Sequence, residues 1–425
     1  LFGSFLAIEL AFLAANILNV PQGGWLPPVV GIAIFITMAT WKNLAHRLGY
    51  LIDTHFDRLR YGLKRRLGYD QPLQVAPYAG YGNQKTLFLT GRVLEDHGDI
   101  DTTDPETLWR NLVASYRRFA SDEVPGLQIH ATFQDQTLET VTDREGYFHI
   151  ELPVTQPLDA DLLWQSIILS VPPQAILNRP PPEPVIGRVL TPAADCDFGM
   201  ISDIDDTILI TGATSLLRMA QLTFLRSPSS RLPFNGVAAF YQALVAGGVP
   251  HRPIFYISSS PWNLYDFLMD FMELNAIPTG PLLLRDFGIP PERPAGSSHQ
   301  AHKLAQIERV MNTYPNLPFI LIGDSGQHDP EAYAQVVATR PEQVLAIYIR
   351  DVTQNPQRDE EIAQLTKQTQ LHKIDLLLVE NTLQAAEHAA RCGYIDPAAL
   401  PSIENDNARA TAPLAPVESL VIEED

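Results

Sequence analysis

Three observations predict an α/β fold built on a parallel sheet. Phe198-Gly199-Met200-Ile201, Ile254-Phe255-Tyr256-Ile257 and Phe319-Ile320-Leu321-Ile322 are short, continuous apolar runs of the kind that form buried strands. Each run stops in polar or acidic residues, which places reactive groups along one edge of the sheet. A helix-length segment, His302 to Tyr314, lies between the second and third runs, as a parallel crossover requires. Ahead of this block, short alternating strands predict a small β-sandwich-like domain, and two apolar runs at the start predict a helical membrane hairpin.

The N-terminal runs differ from everything that follows. Leu1 to Val20 carries one charge, Glu9, and Trp25 to Trp41 carries none; Pro21-Gln22-Gly23-Gly24 separates them. Each is near the lower length limit for crossing a bilayer, and a buried helical hairpin is the alternative. A signal peptide fits poorly, because there is no basic start and a second apolar run follows. Lys42, Arg47, Arg58, Arg60, Lys64, Arg65 and Arg66 then form a basic juxtamembrane linker over 48–75 and its approach. By the positive-inside rule they predict a membrane-associated protein whose remaining domains are cytoplasmic, close to anionic headgroups.

The β-rich accessory domain is expected over 76–185. Leu87 to Leu94 and Leu127 to Phe133 read as strands, and Thr140 to Ile150 as a turn leading into an alternating strand. Trp109 to Phe119 reads as an inserted helix, and Pro180-Pro181-Pro182-Glu183-Pro184 as a linker or strand entry. No catalytic cluster stands out in this region, which reads as a spacer or docking surface. The stretch from Pro401 to Asp425 mixes Pro, Ala and acid without periodicity, so 399–425 is expected to be a disordered acidic tail.

The candidate catalytic domain, 186–398, carries the informative residues. Asp203, Asp205 and Thr207 form an Asp-x-Asp-x-Thr pattern straight after the first run. Paired aspartates at a sheet edge suit Mg²⁺ binding together with nucleophilic attack on phosphorus. The second run ends in Ser258-Ser259-Ser260, Lys303 lies early in the following helix, and the third run ends in Gly323-Asp324 with Asp329 five residues on. Taken singly, the serines are turn formers before Pro261, Lys303 is a solvated helix-start lysine and Asp324 belongs to a turn. Those ordinary readings do not explain why all four occur in this order.

The order resembles the four motifs of the haloacid-dehalogenase phosphohydrolase superfamily. Ser-Asp-Ile-Asp-Asp-Thr at 202–207, Ser-Ser-Pro-Trp-Asn-Leu-Tyr at 259–265 and Ile-Gly-Asp-Ser-Gly-Gln-His-Asp-Pro at 322–330 are similar to the actin-patch-associated phosphatidate phosphatase family. Arg231 to Val237, Leu282 to Gly288, Ile347 to Val352 and Ala385 to Ala390 extend the likeness. It implies a haloacid-dehalogenase-like Rossmannoid parallel sheet. Residues 15–27 and 37–42 resemble the last two membrane helices of Kup-type potassium uptake permeases. Two helices cannot build an ion pathway, so that likeness does not imply transport. The start at Leu1 rather than Met suggests a fragment or a fused gene model.

The family likeness implies roles. Asp203 would be the nucleophile and Asp205 the general acid and base. Mg²⁺ would take the Asp203 carboxylate, the Asp205 carbonyl and Asp324, with Asp329 either a further ligand or a supporting group. Ser258 and Lys303 would hold the phosphoryl oxygens, with Thr207 and Ser259 completing the substrate-binding set. Asp206 is a turn residue or a weak outer ligand. About fifty residues separate Asp203 from Ser258 and about forty-five separate Ser258 from Lys303, too few for a large cap domain. An uncapped site favours a membrane-bound substrate, so phosphatidate in a lipid bilayer is the expected partner. A helix expected over Thr214 to Arg226 is either core-facing or in contact with acyl chains.

A formal net charge of −19, with no offsetting basic stripe, argues against nucleic-acid binding. Cys196 and Cys392 make no disulfide framework or zinc pattern and are expected to be buried thiols. The expected function is therefore a Mg²⁺-dependent phosphatidate phosphatase. The alternatives are a phosphatase for another phosphomonoester, or a non-catalytic membrane adaptor with a vestigial transporter fragment.

Overall fold

A computed structural model describes residues 72–95, 124–159, 162–176, 181–208, 236–246, 252–285, 299–353 and 355–409. The chain divides into two compact units, Leu1–Asp70 and Gln71–Asp425. The first unit, the helix expected over Trp109 to Phe119 and the helix expected over Thr214 to Arg226 lie outside the described residues.

The second unit begins with eight strands: β1 (Leu73–Pro77), β2 (Gly80–Gly82), β3 (Thr86–Glu95), β4 (Gln128–Phe133), β5 (Gln136–Val141), β6 (Tyr147–Pro153), β7 (Trp164–Ser170) and β8 (Val185–Leu190). They form one sheet in the order β1-β3-β2-β8-β7-β4-β5, with β6 paired to β3. Every pairing is antiparallel except β2 with β8. Alternation drives it: in β4, Ile129, Ala131 and Phe133 are buried while the residues between them are half-buried. The buried side joins Leu87, Leu89, Phe148, Ile150, Ile167 and Leu169 in one core.

The second sheet comprises β9 (Gly199–Asp203), β10 (Ile254–Pro261), β11 (Leu282–Arg285), β12 (Phe319–Asp324), β13 (Val344–Arg350) and β14 (Asp375–Val379), in the order β11-β10-β9-β12-β13-β14. Every pairing is parallel. Strands β9 and β12 are buried at every position, as expected when both faces are covered. Met200, Tyr256 and Ile320 face one apolar layer; Ile201, Phe255 and Leu321 face the other. Among the described residues the α-helices are α1 (Val237–Ala246), α2 (Tyr265–Leu274), α3 (His299–Thr313), α4 (Asp329–Thr339), α5 (Pro356–Gln370), α6 (Thr382–Arg391) and α7 (Leu400–Arg409).

The expected fold class requires correction. Among the described residues no helix is long and apolar enough to cross a membrane. The longest, α3 and α5, have 15 residues each and are polar on balance, short of the ~20 apolar residues a span needs. The membrane hairpin expected over 1–47 lies outside the described residues, and no described helix supplies a membrane span in its place. The β-rich region is one continuously hydrogen-bonded mixed sheet, with the parallel β2–β8 pair among antiparallel ones. Two smaller expectations also change. Residues from Leu400 to Arg409 are helical, with Ile403 wholly buried, where a disordered tail was expected. Both cysteines are free, but Cys196 is only half-buried and Cys392 is exposed.

Candidate active site

The chain runs from β9 outward through β10 and β11, then returns to the other side of β9 for β12, β13 and β14. Strand order reverses between β9 and β12, and in open α/β sheets the carboxyl edge at such a reversal is where ligands bind. Ser202 pairs with Ile322 across this junction, so Asp203 and Asp324 end neighbouring strands one step apart in register. Ile257 pairs with Asp203 on the other side, which brings Ser258 just beyond the first aspartate.

Asp203, Asp324 and Asp329 are all buried, and one carboxylate oxygen of each lies within 4.8 Å of the others. Lys303, also buried, reaches in from α3, with its Nζ 2.7 Å from Asp203 Oδ1 and paired to Asp329 Oδ1. Asp329 Oδ2 accepts the Asp324 N–H at 3.1 Å. Asp324 Oδ1 accepts the N–H groups of Gly326 at 2.7 Å and Gln327 at 2.9 Å, while its buried Oδ2 has no hydrogen-bond partner. Gly323 makes this packing possible: a Cβ there would lie 2.8 Å from the Asp329 Cβ.

Asp205 belongs to a second group. Its Oδ2 accepts from Ser258 Oγ at 2.7 Å and from Ser260 Oγ at 3.4 Å, and its carbonyl accepts from Gln327 Nε2 at 3.3 Å. Asp206 turns the chain with φ 58°, a left-handed conformation that aspartate tolerates better than most residues. Thr207 Oγ1 is 3.4 Å from Asp203 Oδ2, and the buried Ser259 Oγ has no hydrogen-bond partner. The predicted residues are thus brought together, but Ser258 is directed at Asp205 and Lys303 at two carboxylates. Ser260 and Gln327 were not predicted; three successive serines and a Gly-Gln-His turn carry no signal for which side chain turns inward.

Burial raises the Asp203 carboxyl well above its usual range, with Lys303 pulling it back. Burial also raises Asp205, opposed by the Ser258 hydrogen bond. Asp324 is pushed up to about 8 by burial and then by the neighbouring Asp329 charge. For Lys303, burial disfavours the charge, yet Asp203 and Asp329 outweigh it and raise the ammonium. Three buried carboxylates share one ammonium, so the cluster is short of positive charge. Its all-oxygen donors and the open Asp324 Oδ2 fit a hard divalent cation.

Residues 198–351 match the family model described as "Phosphatidate phosphatase APP1, catalytic domain", and residues 1–46 match "K+ potassium transporter integral membrane domain". Phosphatidate phosphatase APP1 of Saccharomyces cerevisiae is 36% identical over 170 residues, which is 39% of this chain and 28% of that protein. Uncharacterized protein C29B5.04c of Schizosaccharomyces pombe is 27% identical over 254 residues, 56% of this chain and 40% of that protein. A probable potassium transport system protein, Kup 1 of Dechloromonas aromatica, is 60% identical over 43 residues, 10% of this chain and 7% of that one. The chain therefore spans less than half the length of these relatives. A carbohydrate acetylesterase from Xanthomonas citri aligns over 68% of this chain and 72% of its own at 11% identity, with a TM-score of 0.21. The part of the chain that carries Asp203, Ser258, Lys303 and Asp324 is thus similar to the phosphatidate phosphatase APP1 catalytic-domain family, and the first 46 residues are similar to the potassium transporter membrane domain.

Proposed function

We propose that this chain is a phosphoric monoester hydrolase, a Mg²⁺-dependent phosphatidate phosphatase that releases diacylglycerol and inorganic phosphate. One observation carries the reading: three buried carboxylates and a buried lysine converge at the sheet's reversal point, inside the segment matching the phosphatase family. Asp203 attacks phosphorus through a carboxylate oxygen as the ester P–O bond breaks, giving an aspartyl phosphate. Asp205 gives its proton to the departing alkoxide oxygen, then takes a proton from the water that cleaves the aspartyl phosphate. The upward push of burial on Asp205 supports that role, because it favours the protonated acid before attack. Lys303 offsets the negative charge of Asp203 and of the phosphoryl group, and the unpartnered Ser259 hydroxyl is a donor for a phosphoryl oxygen. Asp203, Asp324 and the Asp205 carbonyl would hold Mg²⁺, with Asp329 anchoring Lys303 and the Asp324 backbone. The cation would supply charge neutralisation at the phosphoryl oxygens.

Because its substrate is a lipid, the chain works at a bilayer surface. The basic segment between Lys42 and Arg66 and the match of residues 1–46 to a membrane domain both favour that location. The test is phosphate release from phosphatidate in mixed micelles, with and without Mg²⁺, for wild type and Asp203→Asn. Metal-dependent release that survives the substitution would remove Asp203 as nucleophile. Release from soluble phosphomonoesters but not from phosphatidate would move the substrate while leaving the chemistry in place.

A further inference from the structure

We propose that Tyr78, in the β1–β2 connection of the β-rich region, is a positioning residue for catalysis, acting through Trp262 on the segment that orients Asp205. The inference rests on the reading of Asp205 as the proton donor.

Ser258 and Ser260 both contact Asp205, and the Ser260 N–H donates to Ser258 Oγ at 2.9 Å, so the two serines act as one bracket. The bracket occupies the irregular end of β10, where the register with β11 slips between Ile257 and Pro261. Pairing with β9 ends at Ile257 and Asp203, and beyond the slip the single Pro261–Arg285 pair ties the strand to β11. On the other side the chain enters a short turn, Trp262–Leu264, and then α2. That side is also held from outside the parallel sheet. The Tyr78 ring stacks on Trp262 at 5.0 Å between centroids and 9° between planes, and lies 4.2 Å from the Tyr265 ring. Next to it, the Ala79 N–H donates to the Tyr265 hydroxyl at 2.7 Å. Tyr78 is itself buried and backed by Tyr147, over which the Arg92 guanidinium sits at 4.7 Å. A segment fixed at both ends holds its hydroxyls in one place; released at one end, it lets Asp205 swing relative to the leaving oxygen. Displacements of this kind cost rate rather than affinity.

Leaving-group dependence tests this. A departing phenoxide needs a proton more than a departing 4-nitrophenoxide does, so loss of aim by Asp205 shows on phenyl phosphate first. The variants are Tyr78→Leu, which keeps apolar volume but removes the stack, Tyr78→Phe, which keeps the ring, and Asp205→Asn. For Tyr78→Leu we expect kcat to fall about tenfold on phenyl phosphate and about two- to threefold on 4-nitrophenyl phosphate, with KM little changed. Tyr78→Phe should restore both rates, and the Mg²⁺-induced rise in Tm should persist in Tyr78→Leu. Equal losses on the two esters, a change confined to KM, or no loss would overturn the proposal. If Tyr78→Leu does not melt cooperatively, Trp262→Leu must show the same unequal losses or the proposal fails. Asp205→Asn separates the two ideas. Unequal losses in Asp205→Asn but not in Tyr78→Leu overturn the positioning role alone; equal losses in Asp205→Asn remove the proton-donor reading, and the positioning role with it.

Discussion

Mg²⁺ binding should release a proton, and the aspartate cluster sets how strongly. Asp324 carries a buried, unpartnered Oδ2, and burial together with the Asp329 charge pushes its carboxyl up to about 8. Near neutral pH the metal-free protein therefore holds a proton that a cation must displace. Below about pH 8 the apparent Mg²⁺ affinity should rise up to about tenfold per pH unit, or ~1.4 kcal/mol. The same proton governs stability. An unfolded aspartate titrates near ~3.9, and Asp324 is raised above that when folded, so its contribution is full below about pH 4 and is lost as pH climbs through about 8. The slope in that window is at most ~1.4 kcal/mol per pH unit. Saturating Mg²⁺ should cancel the loss, because the cation binds the deprotonated native cluster. Calorimetric titrations between about pH 6 and about pH 8, in two buffers of different ionisation enthalpy, measure both affinity and proton release. Tm with and without Mg²⁺ gives the stability arm. An affinity flat across that range, with heats independent of the buffer, would refute the reasoning.

Other substitutions probe the surrounding structure. Gly323→Ala should push Asp329 away from Lys303 and the Asp324 N–H, costing about 1–3 kcal/mol in thermal melts and weakening Mg²⁺ binding in the same titration. Ser259→Ala removes a hydroxyl with no hydrogen-bond partner, so Tm should hold while KM for phosphomonoesters rises several-fold; an unchanged KM would exclude Ser259 from substrate binding. Arg252→Ala should lower stability by about 3 kcal/mol without changing kcat per folded molecule. Its guanidinium pairs with Asp197, donates to the Leu244 and Tyr394 carbonyls and lies 3.9 Å from the Phe198 ring centroid, and none of these contacts involves the aspartate cluster.

Much of the site could be read locally. Asp203, Ser258 and Asp324 each sit where an apolar run meets polar residues, and burial of that run fixes where the polar end emerges. Helix α3 was expected from His302 and begins three residues earlier, so Lys303 lies on its first turns as anticipated. The β-rich part was less legible. Strands β1, β2, β7 and β8 are short or half-exposed, and their pairing depends on partners far along the chain. The helix over Leu400–Arg409 was hidden by its composition; burial of Ile403 in the core around α1 stabilises a segment whose own sequence looks like a tail.

By itself, then, the amino-acid order determined which polar residues end the buried strands and in what succession they appear, because motif spacing and strand burial are properties of neighbouring residues. Only the tertiary structure decided that Asp329 bonds to Lys303 and to the Asp324 backbone, that Ser258 serves Asp205, and that Tyr78 braces Trp262. The Ala79–Tyr265 hydrogen bond beside that brace joins residues 186 positions apart. Contacts of that span follow from sheet order, register and the meeting of two separate layers, which no local pattern encodes.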